Sequence, residues 1–207
     1  MRCLRLIACL TWMLPAAPPG DAGLVVILLG PPGSGKSTQA KHLQQSYRIP
    51  AISASELLKQ SHGRKSRISR AVAAPVASGE LVSDETINQL VQFRIQKRDA
   101  LQGFILDGYP RTKAQAEFLA GQLKERGLPE PVVIHLDAPD AVVKQRMEAR
   151  RRADDKPAII ERRLSDYHDE KDFLLGYYAP SRLFRVDATK PEKEVSRDIA
   201  ALLAGRR

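Results

Sequence analysis

The sequence predicts an α/β protein built on a parallel sheet. Three observations predict it. Apolar runs at Leu24–Leu29, Gly103–Leu106, Val132–Leu136 and Leu183–Val186 alternate with longer stretches of helical pattern, the order that builds parallel strands joined by helical crossovers. The first run empties into Gly30-Pro-Pro-Gly-Ser-Gly-Lys-Ser-Thr38, which leads directly into a helix. The 207 residues, 43% of them hydrophobic, suffice for one sizeable core with small appended lobes. No internal repeat or low-complexity tract interrupts them.

Taken in order, residues 1–22 come first. Arg2 and Arg5 precede an apolar stretch from Leu6 to Leu14 and then Pro15-Ala-Ala-Pro-Pro-Gly20. A basic start and an apolar middle resemble a short signal peptide. The run is too short for an ordinary membrane span, and cleavage after Ala17 would place Pro18 next. The segment is therefore expected to be a non-functional or mis-assigned extension, with export or anchoring as the rival. Leu24–Leu29 is the first strand and Lys36–Ser46 the first helix. A short strand near Ile49–Ile52 follows, then helices over Ser55–Gln60 and Ser66–Ala77, the latter kinked or stopped at Pro75. Ser83 caps a helix expected over Asp84–Arg98, with Asp84 and Glu85 in its first turn. Further helices are expected over Thr112–Arg126, Asp140–Arg150, Pro157–Leu175 and Glu192–Leu203. Gly127 and Pro129 end the first of these.

The chemistry begins at Gly30. Its spacing to Gly35, Lys36 and Ser37 fits a phosphate-binding P-loop. Gly33 and Gly35 let the backbone curl so that N–H groups point at a phosphate, and the following helix aims its positive end there. Lys36 adds a point charge, and a hydroxyl of Ser37 or Thr38 can hold Mg2+. A dinucleotide fingerprint fits less well, because Thr38 stands where its third glycine would be. Asp107 ends the apolar Gly103–Leu106 strand and can reach the same metal through water, with Asp137 as the rival. After Asp107 come Gly108, which permits close approach, Pro110, which fixes the turn, and Arg111, a planar fork for phosphate. Arg146 and Arg150 lie four apart on one helical face, Arg152 follows, and Arg163 comes from the next helix. Two helices joined by an arginine-rich loop can close over phosphates.

Lys and Arg total 33 against 24 Asp and Glu, a net charge of +9. The basic clusters are not interleaved with aromatics, so nucleic acid is not the expected partner. Cys3 and Cys9 both precede the domain, which leaves no disulfide framework and no cysteine metal site. His42, His62, His135 and His168 are scattered and are expected to pack or face solvent.

These residues together resemble the adenylate kinase family of nucleoside monophosphate kinases. The likeness rests on Gly30–Thr38 with Gln39-Ala-Lys41, on Ser78-Gly-Glu-Leu-Val82, on Asp107-Gly-Tyr-Pro-Arg-Thr112 with Gln115, and on Arg152-Ala-Asp-Asp155 leading to Arg163-Leu164. Gly176-Tyr-Tyr178 and Val186-Asp-Ala-Thr-Lys-Pro191 extend it, so that it runs from about Leu24 to Leu203. The resemblance implies a P-loop three-layer α/β/α fold with a five-stranded parallel sheet. Into this core would be inserted a small helical lobe for the monophosphate, residues 53–82, and a very short lid, residues 151–156. It implies reversible transfer of a phosphoryl group from MgATP to a monophosphate, AMP by default. Gly33, Ser34, Gly35, Lys36, Ser37, Thr38, Arg146, Arg150 and Lys190 would face ATP. Ser53, Ala54, Lys59, Glu80, Leu81, Val82, Gly108, Tyr109, Pro110, Arg111, Gln115, Arg152 and Arg163 would face the monophosphate. Of these, Gly108, Gln115 and the Glu80–Val82 backbone would hold its base. Lys36, Arg111, Arg146, Arg152 and Arg163 would be catalytic, and Ser37, Thr38 and Asp107 would serve Mg2+.

One segment departs from the family pattern. Ser53-Ala-Ser-Glu-Leu-Leu-Lys59 stands where the family usually reads Ser-Thr-Gly-Asp-hydrophobic-Leu-Arg. Ala54 lacks a hydroxyl, Ser55 replaces a glycine, and Lys59 keeps a charge without the bidentate fork. UMP, CMP or another small phosphorylated acceptor is the alternative this raises, and a nucleotide-binding regulator with little transferase activity is a third. The lid has only Arg151 between Arg150 and Arg152, so a zinc-bearing lid is not expected, and some ATP hydrolysis without acceptor is. A cytoplasmic monomer without nucleic-acid partners, and without a membrane partner unless the N-terminal extension is used, completes the expectation.

Overall fold

The computed structural model describes residues 23–61, 82–150 and 155–205. The expected helix over Ser66–Ala77, with Pro75, lies outside them, as do Glu80, Leu81, Arg152 and the 1–22 extension.

The strands are β1 (Leu24–Leu29), β2 (Ala51–Ser53), β3 (Gly103–Asp107), β4 (Val132–Asp137) and β5 (Leu183–Asp187). They form one five-stranded sheet in the order β2-β3-β1-β4-β5, and every pairing is parallel. The first strand of the sequence is thus the middle of the sheet. All six of its residues are buried, which is why it reads as an unbroken apolar run rather than an alternation.

The helices are α1 (Lys36–Tyr47), α2 (Ala54–Ser61), α3 (Asp84–Ile95), α4 (Lys113–Glu125), α5 (Asp140–Arg150), α6 (Pro157–Tyr177) and α7 (Glu192–Leu203). They cover both faces. Val26 and Leu28 pack on one side with residues of α1, α5 and α7. Val25, Ile27 and Leu29 pack on the other with residues of α3 and α4. Each such buried aliphatic side chain contributes about 1.5–3 kcal/mol relative to exposure. Among the described residues no helix is long and apolar enough to cross a membrane.

The expected helix Asp84–Arg98 is corrected. It stops at Ile95, Lys97 turns extended, and a separate 3-10 turn spans Arg98–Ala100. Arg94 reaches forward to grip Asp99 with both guanidinium ends, at 3.0 and 2.7 Å. The Lys97 ammonium lies 3.9 Å from the centre of the Phe93 ring. Side chains of the last turn thus hold the chain in a corner that propensity does not signal.

The fold places a site by its topology. β3 and β4 lie on opposite sides of β1. The chain leaving β1 therefore enters the crevice at the strands' carboxyl ends, where open α/β sheets bind ligands.

Candidate functional site

The loop after β1 is shaped by residues that only glycine satisfies. Gly33 has φ +85, and a Cβ there would sit 2.9 Å from the Val143 carbonyl oxygen of α5. Gly35, φ 95, is the N-cap of α1 and offers no side-chain cap, so the helix start meets the crevice with bare backbone.

All nine residues expected to face ATP line one pocket of about 370 Å³: Gly33, Ser34, Gly35, Lys36, Ser37, Thr38, Arg146, Arg150 and Lys190. They come from four places, the loop, α1, α5 and the β5–α7 connection. Arg146 spans the gap, donating to the carbonyls of Ala188 at 2.7 Å and Thr189 at 3.3 Å. Gln39 ties α1 to α7. Its Nε2 donates to the Glu192 carbonyl at 3.3 Å, and its Oε1 accepts from the Ser196 hydroxyl at 2.9 Å. Lys190 donates to Asp198 at 2.8 Å, a bond that raises its pKa.

Lys36 folds back on the loop, donating to the carbonyls of Gly30 at 2.8 Å and Pro31 at 2.7 Å. Burial pushes its pKa down to about 8. Asp107 opposes this, while the cations Arg111 and Arg150 add to it. The same ammonium therefore feels groups from both halves of the expected site.

The Ser37 hydroxyl donates to Asp107 Oδ2 at 2.6 Å, and Asp107 is buried. Two hard oxygens thus stand together beside the loop, the donor type that Mg2+ takes, and the pair fits that ion. Ser37, rather than Thr38, is the hydroxyl that meets the carboxylate. The rival Asp137 is exposed and lines a different hollow of about 800 Å³, beside His135, Tyr167 and Arg185. That larger hollow contains no part of the glycine loop.

Beyond Asp107 the chain makes a tight corner. Gly108 has φ +74, and the Tyr109–Pro110 peptide is cis. Arg111 Nε donates to the Gly108 carbonyl at 3.1 Å, which lays the exposed guanidinium along the loop. Tyr109 was expected to face a ligand. Instead its side chain has 0% exposure, and its hydroxyl donates to Asn88 at 2.7 Å. Its ring is too large and apolar to leave the core, and it anchors the corner from beneath. Burial also drives its phenol pKa up. Gln115 is buried under the same corner, and its Oε1 accepts from the Arg111 backbone N–H at 2.8 Å.

The described flanks of the expected lid, α5 and α6, meet at Asp155. Arg150 grips its carboxylate with two nitrogens, one at 2.7 Å, and Arg163 lies 3.8 Å away. Arg150, Arg163 and the chain just after residues 151–154 are therefore gathered by one acid. Glu170, further along α6, has its pKa raised by burial, with Arg111 pulling the other way.

The altered segment is half legible. Ser53 Oγ is 3.0 Å from Ser55 Oγ at the end of β2, and Lys59 is exposed on α2. Ala54 is buried in the apolar cluster with Ile52 and Val91, which gives its missing hydroxyl a packing reason. Val82 packs at the margin of that cluster. Two residues escaped the sequence reading. Asp84 reads as a helix-cap acid yet bonds Gln115 and Thr112. Ala188 acts through its carbonyl, which no side-chain pattern reports.

Comparison with known proteins agrees with this geometry. A family model described as adenylate kinase matches residues 28–182. The chain is 40% identical over 190 residues to an adenylate kinase of Sinorhizobium medicae, covering 86% of this chain and 99% of that protein. It is 40% identical to one from Chelativorans sp., covering 86% and 98%. It is 39% identical over 189 residues to one from Brucella ovis, covering 86% and 97%. A glycine loop, a buried acid on the neighbouring strand and converging arginines thus coincide with a match over most of the chain, and the chain belongs to the adenylate kinase family.

Proposed function

We propose that this protein is a nucleoside monophosphate kinase that transfers the γ-phosphoryl group of ATP to AMP and yields two ADP. The observation that carries it is the pocket formed by Gly33–Thr38, Arg146, Arg150 and Lys190, with Ser37 hydrogen-bonded at 2.6 Å to Asp107, the residue from which the Arg111-bearing corner departs. A phosphate-binding pocket set beside a second arginine-bearing loop is what in-line transfer between two phosphates requires.

The acceptor's phosphate oxygen attacks the γ-phosphorus, and the bond from that phosphorus to the β–γ bridging oxygen breaks, leaving ADP. The attacking oxygen is already largely anionic near neutral pH, since a phosphate's second pKa is about 6, so no general base is assigned. Lys36, Arg111, Arg146, Arg152 and Arg163 neutralise charge and hold the phosphates in line. Ser37 and Asp107, with Thr38 adjacent, would hold Mg2+, which supplies charge neutralisation at the phosphates when bound. Glu80, Leu81, Val82, Gly108 and Gln115 take the acceptor's base, within a lobe formed by residues 53–82. Residues 151–156 would form the lid, and the ion pairs of Asp155 with Arg150 and Arg163 support that reading. Ala54 and Lys59 favour a second reading, with UMP or CMP as acceptor, because both alter the acceptor segment and leave the ATP side intact.

A coupled assay with MgATP and a panel of AMP, CMP, UMP and GMP decides between them. AMP is expected to be the best acceptor. If ATP binds but no monophosphate is phosphorylated, the kinase reading fails.

A further inference from the structure

We infer that Asp84 is a positioning residue that fixes the orientation of the Gln115 side-chain amide, and through it the enzyme's choice between 6-amino and 6-oxo purines. The inference rests on the proposed reading, in which Gln115 meets the acceptor's base.

Four hydrogen bonds carry it. Gln115 Nε2 donates to Asp84 Oδ1 at 2.6 Å, and the Thr112 hydroxyl donates to Asp84 Oδ2 at 2.7 Å. The Arg111 backbone N–H donates to Gln115 Oε1 at 2.8 Å, and the Gln115 backbone N–H donates to Thr112 Oγ1 at 3.2 Å. An ionised carboxylate can only accept and a backbone N–H can only donate. Gln115 is therefore gripped by an acceptor at its nitrogen and a donor at its oxygen. Turning the amide over would set its NH2 against the Arg111 N–H and its oxygen against the carboxylate. Both contacts would be repulsive under a side chain that is only 5% exposed.

In its fixed orientation the amide keeps one unused N–H and one unused lone pair. A 6-amino purine shows an acceptor at N1 beside a donor at its amino group. A 6-oxo purine shows the reverse, a donor at N1–H beside an acceptor oxygen. A freely turning amide could match either edge, whereas a fixed one matches one edge and leaves buried polar groups unpaired against the other. With AMP as acceptor, the fixed amide excludes the 6-oxo analogue. Asp84 opens α3 after Val82 and Ser83, so the Gln115 amide and the start of that helix are joined through one carboxylate.

The test compares kcat/KM for AMP and for IMP, which differ at that edge. The native protein is expected to prefer AMP. Asp84→Asn keeps size and bonding, but its amide can donate as well as accept, and the Thr112 hydroxyl can follow suit. The AMP-to-IMP ratio should then fall at least about fivefold, through a higher KM for AMP and a lower one for IMP, with the KM for ATP unchanged. The Arg111 N–H remains in every variant and limits the fall. Asp84→Ala should move the ratio the same way, and it decides the matter if the Asn variant does not fold. A merely structural carboxylate would weaken both acceptors alike, so an unchanged ratio in a folded variant overturns the inference. Equal use of AMP and IMP by the native protein also overturns it while leaving the kinase reading intact. Phosphorylation of neither overturns the inference together with AMP as the acceptor, and the kinase reading then stands or falls on CMP and UMP.

Discussion

At the residue scale the site turns on Lys36. Its ammonium rests on the Gly30 and Pro31 carbonyls and is held near a pKa of about 8 by burial. A polyphosphate bound there as proposed would draw it off those carbonyls and supply the counter-charge that burial withholds. Lys36→Ala is expected to lower kcat/KM by at least about 100-fold while the far-ultraviolet circular dichroism stays native. Steady-state kinetics with saturating MgATP check it, and turnover within tenfold of native would remove the loop lysine from the mechanism. Much of one pocket's lining was legible at this scale. Gly33–Thr38, Arg146 and Arg150 stand out by residue type and spacing, Lys190 only through the family resemblance, and all of them line the same pocket. What stayed hidden depends on partners distant in sequence. Tyr109 looked like a ligand residue because it sits between Gly108 and Pro110, but its fate is decided by Asn88 and the apolar cluster below it. Asp84 carries no signal beyond its place in a helix's first turn.

At the element scale β1, β3 and β4 were legible because each is a short apolar run buried on both faces, whereas β2 and β5 are only partly buried. β1 and α7 have the expected bounds, and β3 and β4 differ only by the terminal acid. The boundary at Ile95 was not legible, because Arg94 and Lys97 cut that helix short through contacts with Asp99 and Phe93. The glycine loop gives a test within one element. Gly33 and Gly35 both have positive φ, yet an added Cβ at Gly33 would meet the Val143 carbonyl oxygen at 2.9 Å and Met147 Cγ at 3.0 Å, whereas at Gly35 it meets nothing within 4 Å. Gly35→Ala pays backbone strain alone, about 1 kcal/mol, and Gly33→Ala adds a collision with helix α5, for a total of about 2–3 kcal/mol. Urea denaturation of the two variants should rank them so. Equal midpoints would show that α5 yields to the loop.

At the scale of the whole molecule, one buried group ties stability to pH. The His135 imidazole sits on β4, only 3% exposed, with Nε2 2.7 Å from the Tyr167 hydroxyl. Burial lowers its pKa below 6.5. Asp137 opposes the shift, and Arg185, Lys36 and Lys171 reinforce it. The unfolded chain therefore binds this proton more readily than the folded one. No penalty exists above about pH 6.5. The penalty grows as pH falls and is complete below the folded pKa. His135→Phe should flatten the loss of thermal stability between pH 7 and pH 5 by up to about 1.4 kcal/mol per pH unit. Melts at both pH values check this, and an unchanged slope would assign the acid sensitivity to other groups. The two-faced burial of β1 has a counterpart in the order of synthesis. The nucleotide pocket opens at Gly33 but is walled by Ala188, Lys190, Glu192 and Val195 and braced by the bond from Ser196 to Gln39. A chain emerging from the ribosome therefore carries its glycine loop early and cannot close this pocket around it until β5 and the start of α7 are free. Nucleotide affinity should then appear only after the β5–α7 connection has left the ribosome.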